Sequence, residues 1–215
     1  EYNKPLQIYG PKNTKYFISQ LQKTFNLKLN VHAEEVSNKV FETEDFYIEA
    51  KQMEHGIPTL AYSFVIKDKR RLKKSEIKKL KLPNSLILRD LQNGKDITFN
   101  GKKIKSSQVS YMEKGRRISI ILDTAPNKNA LEIAKNSDLL ICEASFAEEE
   151  KEQAKEHLHL TASDAATIAK KSNSEKLILT HISQRYEYNQ NVILNAAKKI
   201  FKNVTIAKDF DVFEV

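Results

Sequence analysis

Three apolar runs in this chain stop abruptly at a side chain that can hold a metal. Lys176-Leu-Ile-Leu-Thr-His181 and Phe46-Tyr-Ile-Glu-Ala-Lys-Gln-Met-Glu-His55 end at imidazoles, and Ile118-Ser-Ile-Ile-Leu-Asp123 ends at a carboxylate. Leu177, Ile178 and Leu179 form a run too short for a helix, so it reads as a buried strand with His181 at its exit. Strand exits are where a sheet protein displays its chemistry. If the three exits lie side by side, His55, Asp123 and His181 share one crevice, and imidazole with carboxylate is the donor set that zinc prefers. A single strand-end histidine is more often structural than a ligand; it is the set of three that favours a site. Cys142, the only cysteine, sits in the apolar run Leu139-Leu-Ile-Cys142 and reads as a small core residue that can form no intrachain bridge.

The elements that must position these residues alternate along the chain. From Lys12 to Phe25, Tyr16, Phe17, Leu21 and Phe25 recur at three- and four-residue steps, which predicts an amphipathic helix covering one face of a sheet. Strand alternation follows over 27–31, 40–50 and 59–67. After Gly115 the order is regular: strand 118–123, helix 127–135, strand 139–142, a charged surface run over 148–156, and a helix through Lys171. Thr161-Ala-Ser-Asp164 has the form of a capping box for that last helix. Strand 177–180, helix 189–202 and a pairing of 204–207 with 212–215 complete the chain. Strands and helices in alternation predict packed α/β layers.

A chain of 215 residues makes one good-sized domain, burying roughly 70–75% of its extended surface without help from disulfides. No run approaches a membrane span and no signal peptide is visible, so a reducing cytoplasm is the expected compartment. Lysine and arginine number 36 against 28 acidic residues, a net charge of +8, which favours polyanionic partners such as nucleic acid. The charge is concentrated. Between positions 67 and 81, Lys67, Lys69, Arg70, Arg71, Lys73, Lys74, Lys78, Lys79 and Lys81 face only Asp68 and Glu76, with Ile77 and Leu80 as anchors. Such a segment is expected to project from the core, followed by a hairpin turning at Asn100-Gly101.

Read together, ordered motifs resemble the ribonuclease Z family of the metallo-β-lactamase superfamily. Pro5-Leu-Gln-Ile-Tyr-Gly-Pro11 resembles that family's first strand and turn, and His55-Gly-Ile-Pro58 its lone-histidine segment. Leu122-Asp123-Thr124, Glu143-Ala-Ser-Phe146, His159-Leu-Thr161 and Thr180-His-Ile-Ser183 with Arg185-Tyr186 follow in the family's order. The resemblance implies a four-layer αββα metallo-β-lactamase fold across residues 1–215, with a protruding arm over 67–109. It implies a zinc-dependent endoribonuclease that removes the 3′ trailer from precursor tRNA through a metal-activated hydroxide, leaving a 3′-hydroxyl on the tRNA and a 5′-phosphate on the trailer. Two zinc ions would be bridged by Asp123, with His55 and His181 each completing one ion's sphere and His159 acting on the transition state. Glu143 would orient a histidine, or make a plain structural salt bridge. Lys69, Arg70, Arg71, Lys73, Lys74, Lys78, Lys79 and Lys81 would grip the tRNA body, in a homodimer whose copies lend arms to each other.

Some of the family pattern is absent. The His-x-His-x-Asp-His signature is nowhere among His32, His55, His157, His159 and His181, and His157 reads as surface. With no initiator methionine and a strand under way at Leu6, an N-terminal piece is expected to be lacking. Two zinc ions need roughly six ligand contacts. His55, His181 and both oxygens of Asp123 supply fewer, so these 215 residues are expected to bind metal weakly and not to cleave. A catalytically dead tRNA-binding subunit and a small-substrate phosphodiesterase of the same fold are the competing readings.

Overall fold

The computed structural model describes residues 4–215. In chain order the elements are β1 (Leu6–Gly10), α1 (Thr14–Thr24), β2 (Val31–Glu35), β3 (Lys39–Glu42), β4 (Phe46–Met53) and β5 (Thr59–Ile66). Next come β6 (Lys69–Leu72), α2 (Lys74–Lys79), α3 (Leu86–Gln92), β7 (Ile97–Phe99), β8 (Lys102–Ile104), α4 (Ser106–Val109) and β9 (Ser110–Glu113). The last third holds β10 (Arg117–Ile121), α5 (Lys128–Ile133), β11 (Leu139–Glu143), α6 (Lys151–Glu156), α7 (Ala162–Lys171), β12 (Leu177–Thr180), α8 (Asn191–Ile200) and β13 (Val204–Ile206). Two compact units divide them: one is built from the chain up to Val65 together with Arg117–Val215, the other from Ile66–Arg116.

The first unit is organised by a seven-stranded mixed sheet in the order β13-β12-β11-β10-β5-β4-β3. Strands β10, β11, β12 and β13 run parallel, and β5 joins β10 antiparallel. Parallel strands need covering on both faces, and β12 answers with Leu177, Ile178 and Leu179 all buried. The cover on one side is α7, whose Ala162, Ala165, Ala166, Ile168 and Ala169 are buried, packed with α8 through Ile193 and Ala197. Alanine on the inner face lets α7 lie close, so Leu140, Leu160, Leu177, Leu179 and Ile193 are removed from water entirely. Each such side chain is worth about 1.5–3 kcal/mol. The α7 start has the expected capping box: Thr161 Oγ1 accepts from the Asp164 N–H, and an Asp164 carboxylate oxygen accepts from the Thr161 N–H, both at 3.1 Å.

Elsewhere in this unit the sequence-based reading needs correcting. Positions 27–30 are not a strand; the pairing begins at Val31, where β2 lies parallel to β1. The run 40–50 is broken by a turn in which the Thr43 N–H donates to Phe46 O at 2.8 Å, making an antiparallel β3–β4 hairpin of it. Residues 212–215 do not pair with β13, because Asp211 closes a turn onto Lys208 and Phe210 takes a positive φ of 67°. The outer side of α1 differs most. Tyr16, Phe17, Leu21 and Phe25 are exposed and the helix buries no residue. Periodicity identifies a helix's apolar face without saying what covers it.

The second unit has a core of its own. Strands β6 and β9 pair antiparallel, and Leu82, Leu91, Ile104 and Val109 are buried with Leu72, Ile77, Ile87, Leu88, Ile97 and Phe99 packed around them. The apolar anchors are therefore spread over 72–109 rather than confined to Ile77 and Leu80. β7 and β8 form the hairpin that Asn-Gly implies, with Asn100 at φ 49° and Gly101 at φ 73°. Gly115 is obligatory for another reason: a Cβ there would stand 1.9 Å from the carbonyl oxygen of Ile66.

Candidate functional site

Parallel strands β10, β11 and β12 are neighbours, so the residues at their C-terminal ends share one rim of the sheet, where α/β proteins place their ligands. Asp123 follows β10 by two residues, Glu143 is the last residue of β11, and His181 follows β12 directly. His159 arrives from the segment between α6 and α7, which the Phe146–Thr161 bridge draws against the end of β11. Donor atoms of Asp123, His159 and His181 all lie within 4.8 Å of one another. The His181 ring stands 5.3 Å from that of His159 and, by its Nδ1, 3.5 Å from Asp123 Oδ1. His181 holds a positive φ of 53°, a conformation non-glycine residues adopt seldom and functional sites use often.

Glu143 organises this group from below. Its carboxylate is fully buried and accepts from His159 Nδ1 at 3.0 and 3.2 Å, from the Thr124 N–H at 2.7 Å and from the Ser145 hydroxyl at 2.8 Å. A buried carboxylate is tolerable only when its lone pairs are met this way. The Thr124 bond fixes the backbone next to Asp123. Thr124 and Ala125 in turn receive and give hydrogen bonds to Glu54, with distances of 3.1 and 2.8 Å, which anchors the segment leading into His55.

His55 is not one of the three clustered donors. Its ring lies 5.1 Å from that of His159, and its Nδ1 donates to the carbonyl of Leu158 at 3.1 Å. The three histidines thus share a feature. With Nδ1 of His55 on a carbonyl, of His159 on Glu143 and of His181 on Ser145, each leaves Nε2 without a hydrogen bond among the described residues. That is the disposition of a metal-binding imidazole, whose second nitrogen is held by a carbonyl or carboxylate. Asp123, with 40% of its side chain exposed and no cation other than histidine paired with it among the described residues, adds a carboxylate oxygen. The donor set present therefore fits zinc.

No protein-family model matches the sequence. Among curated proteins, "Ribonuclease Z" of Nanoarchaeum equitans is 33% identical over 218 residues, a match spanning 100% of this chain and 68% of the relative. The chain belongs to the ribonuclease Z family. Among solved structures, human tRNase Z, short form, superposes with a TM-score of 0.61 at 22% identity, over 99% of this chain and 68% of that one. The metallo-β-lactamase fold protein YhfI from Bacillus subtilis gives 0.60 at 18% identity, over 96% and 64%. The fold is that of the metallo-β-lactamases, mixed α/β about a central mixed sheet, and ribonuclease Z is a family of metal-dependent endoribonucleases.

Several residues of this site carry a sequence signal only through their neighbours. Ser145 bonds both Glu143 and His181. Its signal is the two-residue step from Glu143, which puts both side chains on one side of an extended strand. Arg185 and Tyr186 tie the His181 loop to the α6 region: Arg185 donates to Gln153 at 2.8 Å and pairs with Glu150, its guanidinium lies 5.2 Å over the Phe146 ring, and the Tyr186 hydroxyl donates to Glu150 and accepts from the Ala147 N–H. His157 is exposed and stacks on Phe146 at 6.2 Å; His32 is exposed and pairs with Glu34.

The basic residues lie in the second unit, and they differ among themselves. Lys73, Lys74, Lys78, Lys79 and Lys81 are exposed on and around α2. Arg70 donates to Ser110 Oγ at 3.0 Å and Arg71 to Glu113 at 2.7 Å, so both arginines brace β6 against β9. No helix among the described residues is long and apolar enough to cross a membrane.

Proposed function

We propose that this chain carries part of the zinc site of an endoribonuclease that acts on precursor tRNA, separating the 3′ trailer to leave a 3′-hydroxyl on the tRNA and a 5′-phosphate on the trailer. The convergence of Asp123, His159 and His181 above a buried carboxylate carries this reading. Asp123 and His181, with His55, would hold the metal through a carboxylate and the free Nε2 atoms. Zinc there supplies Lewis acidity, lowering the pKa of water and stabilising negative charge that develops on a phosphate. His159, held by Glu143, keeps Nε2 directed to the reacting group and in its protonated form gives the proton to the departing O3′. Lysines of the second unit grip the RNA through phosphates, which suits a duplex read by shape.

Ligand number limits what these 215 residues do alone. His55, His181 and two oxygens of Asp123 make four contacts where two zinc ions need roughly six. These residues alone are therefore expected to take up zinc weakly and not to cleave, and the same count favours a second reading, a non-catalytic tRNA-binding subunit. Both share an RNA-binding surface in a reducing cytoplasm, and a homodimer is the assembly the family resemblance implies.

The test is binding of a precursor tRNA with a 3′ trailer across salt. If the lysines meet about four phosphates, affinity falls on the order of a hundredfold between 50 and 200 mM salt. Replacing Lys74, Lys78, Lys79 and Lys81 together with glutamate abolishes most of it. Binding that ignores both salt and these substitutions contradicts the assignment, and sedimentation of the free chain decides the dimer.

A further inference from the structure

We propose that Ser145 is a positioning residue that fixes the ring tautomer and direction of His181, and through them its capacity to take a metal. The proposal rests on the reading of His181 as a metal-binding histidine. Ser145 is 4% exposed, and its hydroxyl has three neighbours at 2.8 Å: His181 Nδ1, His181 O and Glu143 Oε2. One hydroxyl has one proton to donate. Giving it to the buried carboxylate of Glu143 satisfies a charged acceptor, and charge-assisted hydrogen bonds are the stronger ones. The serine oxygen is then an acceptor towards His181, so Nδ1 must carry the proton.

The rest of the surroundings agree. The next oxygens around His181 Nδ1 are Asp123 Oδ1 at 3.5 Å and Glu143 Oε2 at 4.0 Å, both acceptors when ionised. A proton at Nδ1 is attracted by all three oxygens, whereas a lone pair there would face two carboxylates. With Nδ1 protonated, Nε2 is left as the lone pair that a metal needs. Ser145 also holds the loop itself, since its carbonyl accepts from the Ser183 N–H at 3.2 Å, two residues beyond the positive φ of His181. Glu143 thereby reaches His159 directly and His181 through one serine, so a single buried carboxylate sets the tautomers of two histidines.

The experiment is nitrogen-15 NMR of the histidine rings in the metal-free chain, which separates the two tautomers, combined with zinc competition against a chelator. In the native chain His181 is expected as the Nδ1–H form with Nε2 unprotonated. Ser145→Ala is expected to mix the tautomers and to weaken zinc uptake by about 10- to 100-fold. Ser145→Thr, which keeps the hydroxyl, restores both. A native His181 in the Nε2–H form overturns the proposal without any variant, as does an unmoved tautomer in a folded Ser145→Ala. If the ring responds to Ser145→Ala while zinc uptake never depended on His181, the Ser145 assignment holds and the metal reading of His181 is what fails.

Discussion

Two parts of the first unit carry comparable apolar sequence and treat it in opposite ways. In the β10–β13 layer with α7 and α8, most apolar side chains are buried and the strand ends hold Asp123, Glu143 and His181. In the β1–α1–β2 part, Tyr16 is 60% exposed, Phe17 59% and Phe25 66%, and α1 buries nothing. The difference is one of cover. A two-stranded parallel pair offers one helix too little surface to hide an aromatic face, while a four-stranded parallel run packed against two helices buries most of its apolar side chains, Ile120 on β10 being an exception. Site geometry resides in the covered region, where packing leaves side chains one arrangement.

The widest contrast should appear in thiol labelling. Cys142 on β11 is fully buried, and its ionisation is pushed well above the ordinary range by burial, then by the negative charges of Glu143 and Asp164. Alkylation at pH 8 should be slower than in the denatured chain by about a thousandfold or more, because reaction waits for unfolding. A Phe17→Cys variant should label at once; equal rates at the two positions would break the comparison.

Next in size is Glu143→Ala. It strands His159 Nδ1 and the Thr124 N–H in the interior, a loss of about 3–5 kcal/mol readable as a fall of roughly 10 °C in melting temperature. A change of under about 1 kcal/mol would mean that Glu143 does not organise the site. Leu179→Ala should destabilise by about 3 kcal/mol and Phe17→Ala by no more than about 0.5, measured by urea unfolding. Similar values for the two would show that α1 is covered in solution.

The smallest effect belongs to the exposed Lys51–Glu132 pair, 2.8 Å apart. The hydrogen bond and charge of Lys51 lower the Glu132 pKa below its ordinary 4.5. A lowered folded pKa means the contribution is present above the unfolded value and lost as pH falls through the folded one. Lys51→Ala should therefore narrow the stability gap between pH 7 and pH 3 slightly; a widened gap has the wrong sign.

How much of this was legible in the sequence depends on whether the signal is local. Asn100-Gly101 dictates its hairpin through positive φ at both positions, and Thr161 to Asp164 dictates a cap through side chains three residues apart. The strand exits at Asp123 and His181 follow from apolar runs of a length that only strands use. What was not legible depends on partners distant in the chain. Ser145 gains its importance from His181, 36 residues away, and Leu91 and Val109 form a core with Leu82 only once the intervening hairpin has folded. The outward face of α1 was legible as apolar, but its exposure is a property of the neighbouring sheet.

The central claim is that Asp123 and His181, with His55, would hold zinc beside His159, and by ligand number hold it only weakly. Calorimetric titration of the metal-free chain with zinc tests it most directly. The account predicts weak uptake that disappears in Asp123→Ala and in His181→Ala. Two tightly held zinc ions, or uptake indifferent to both substitutions, would contradict it.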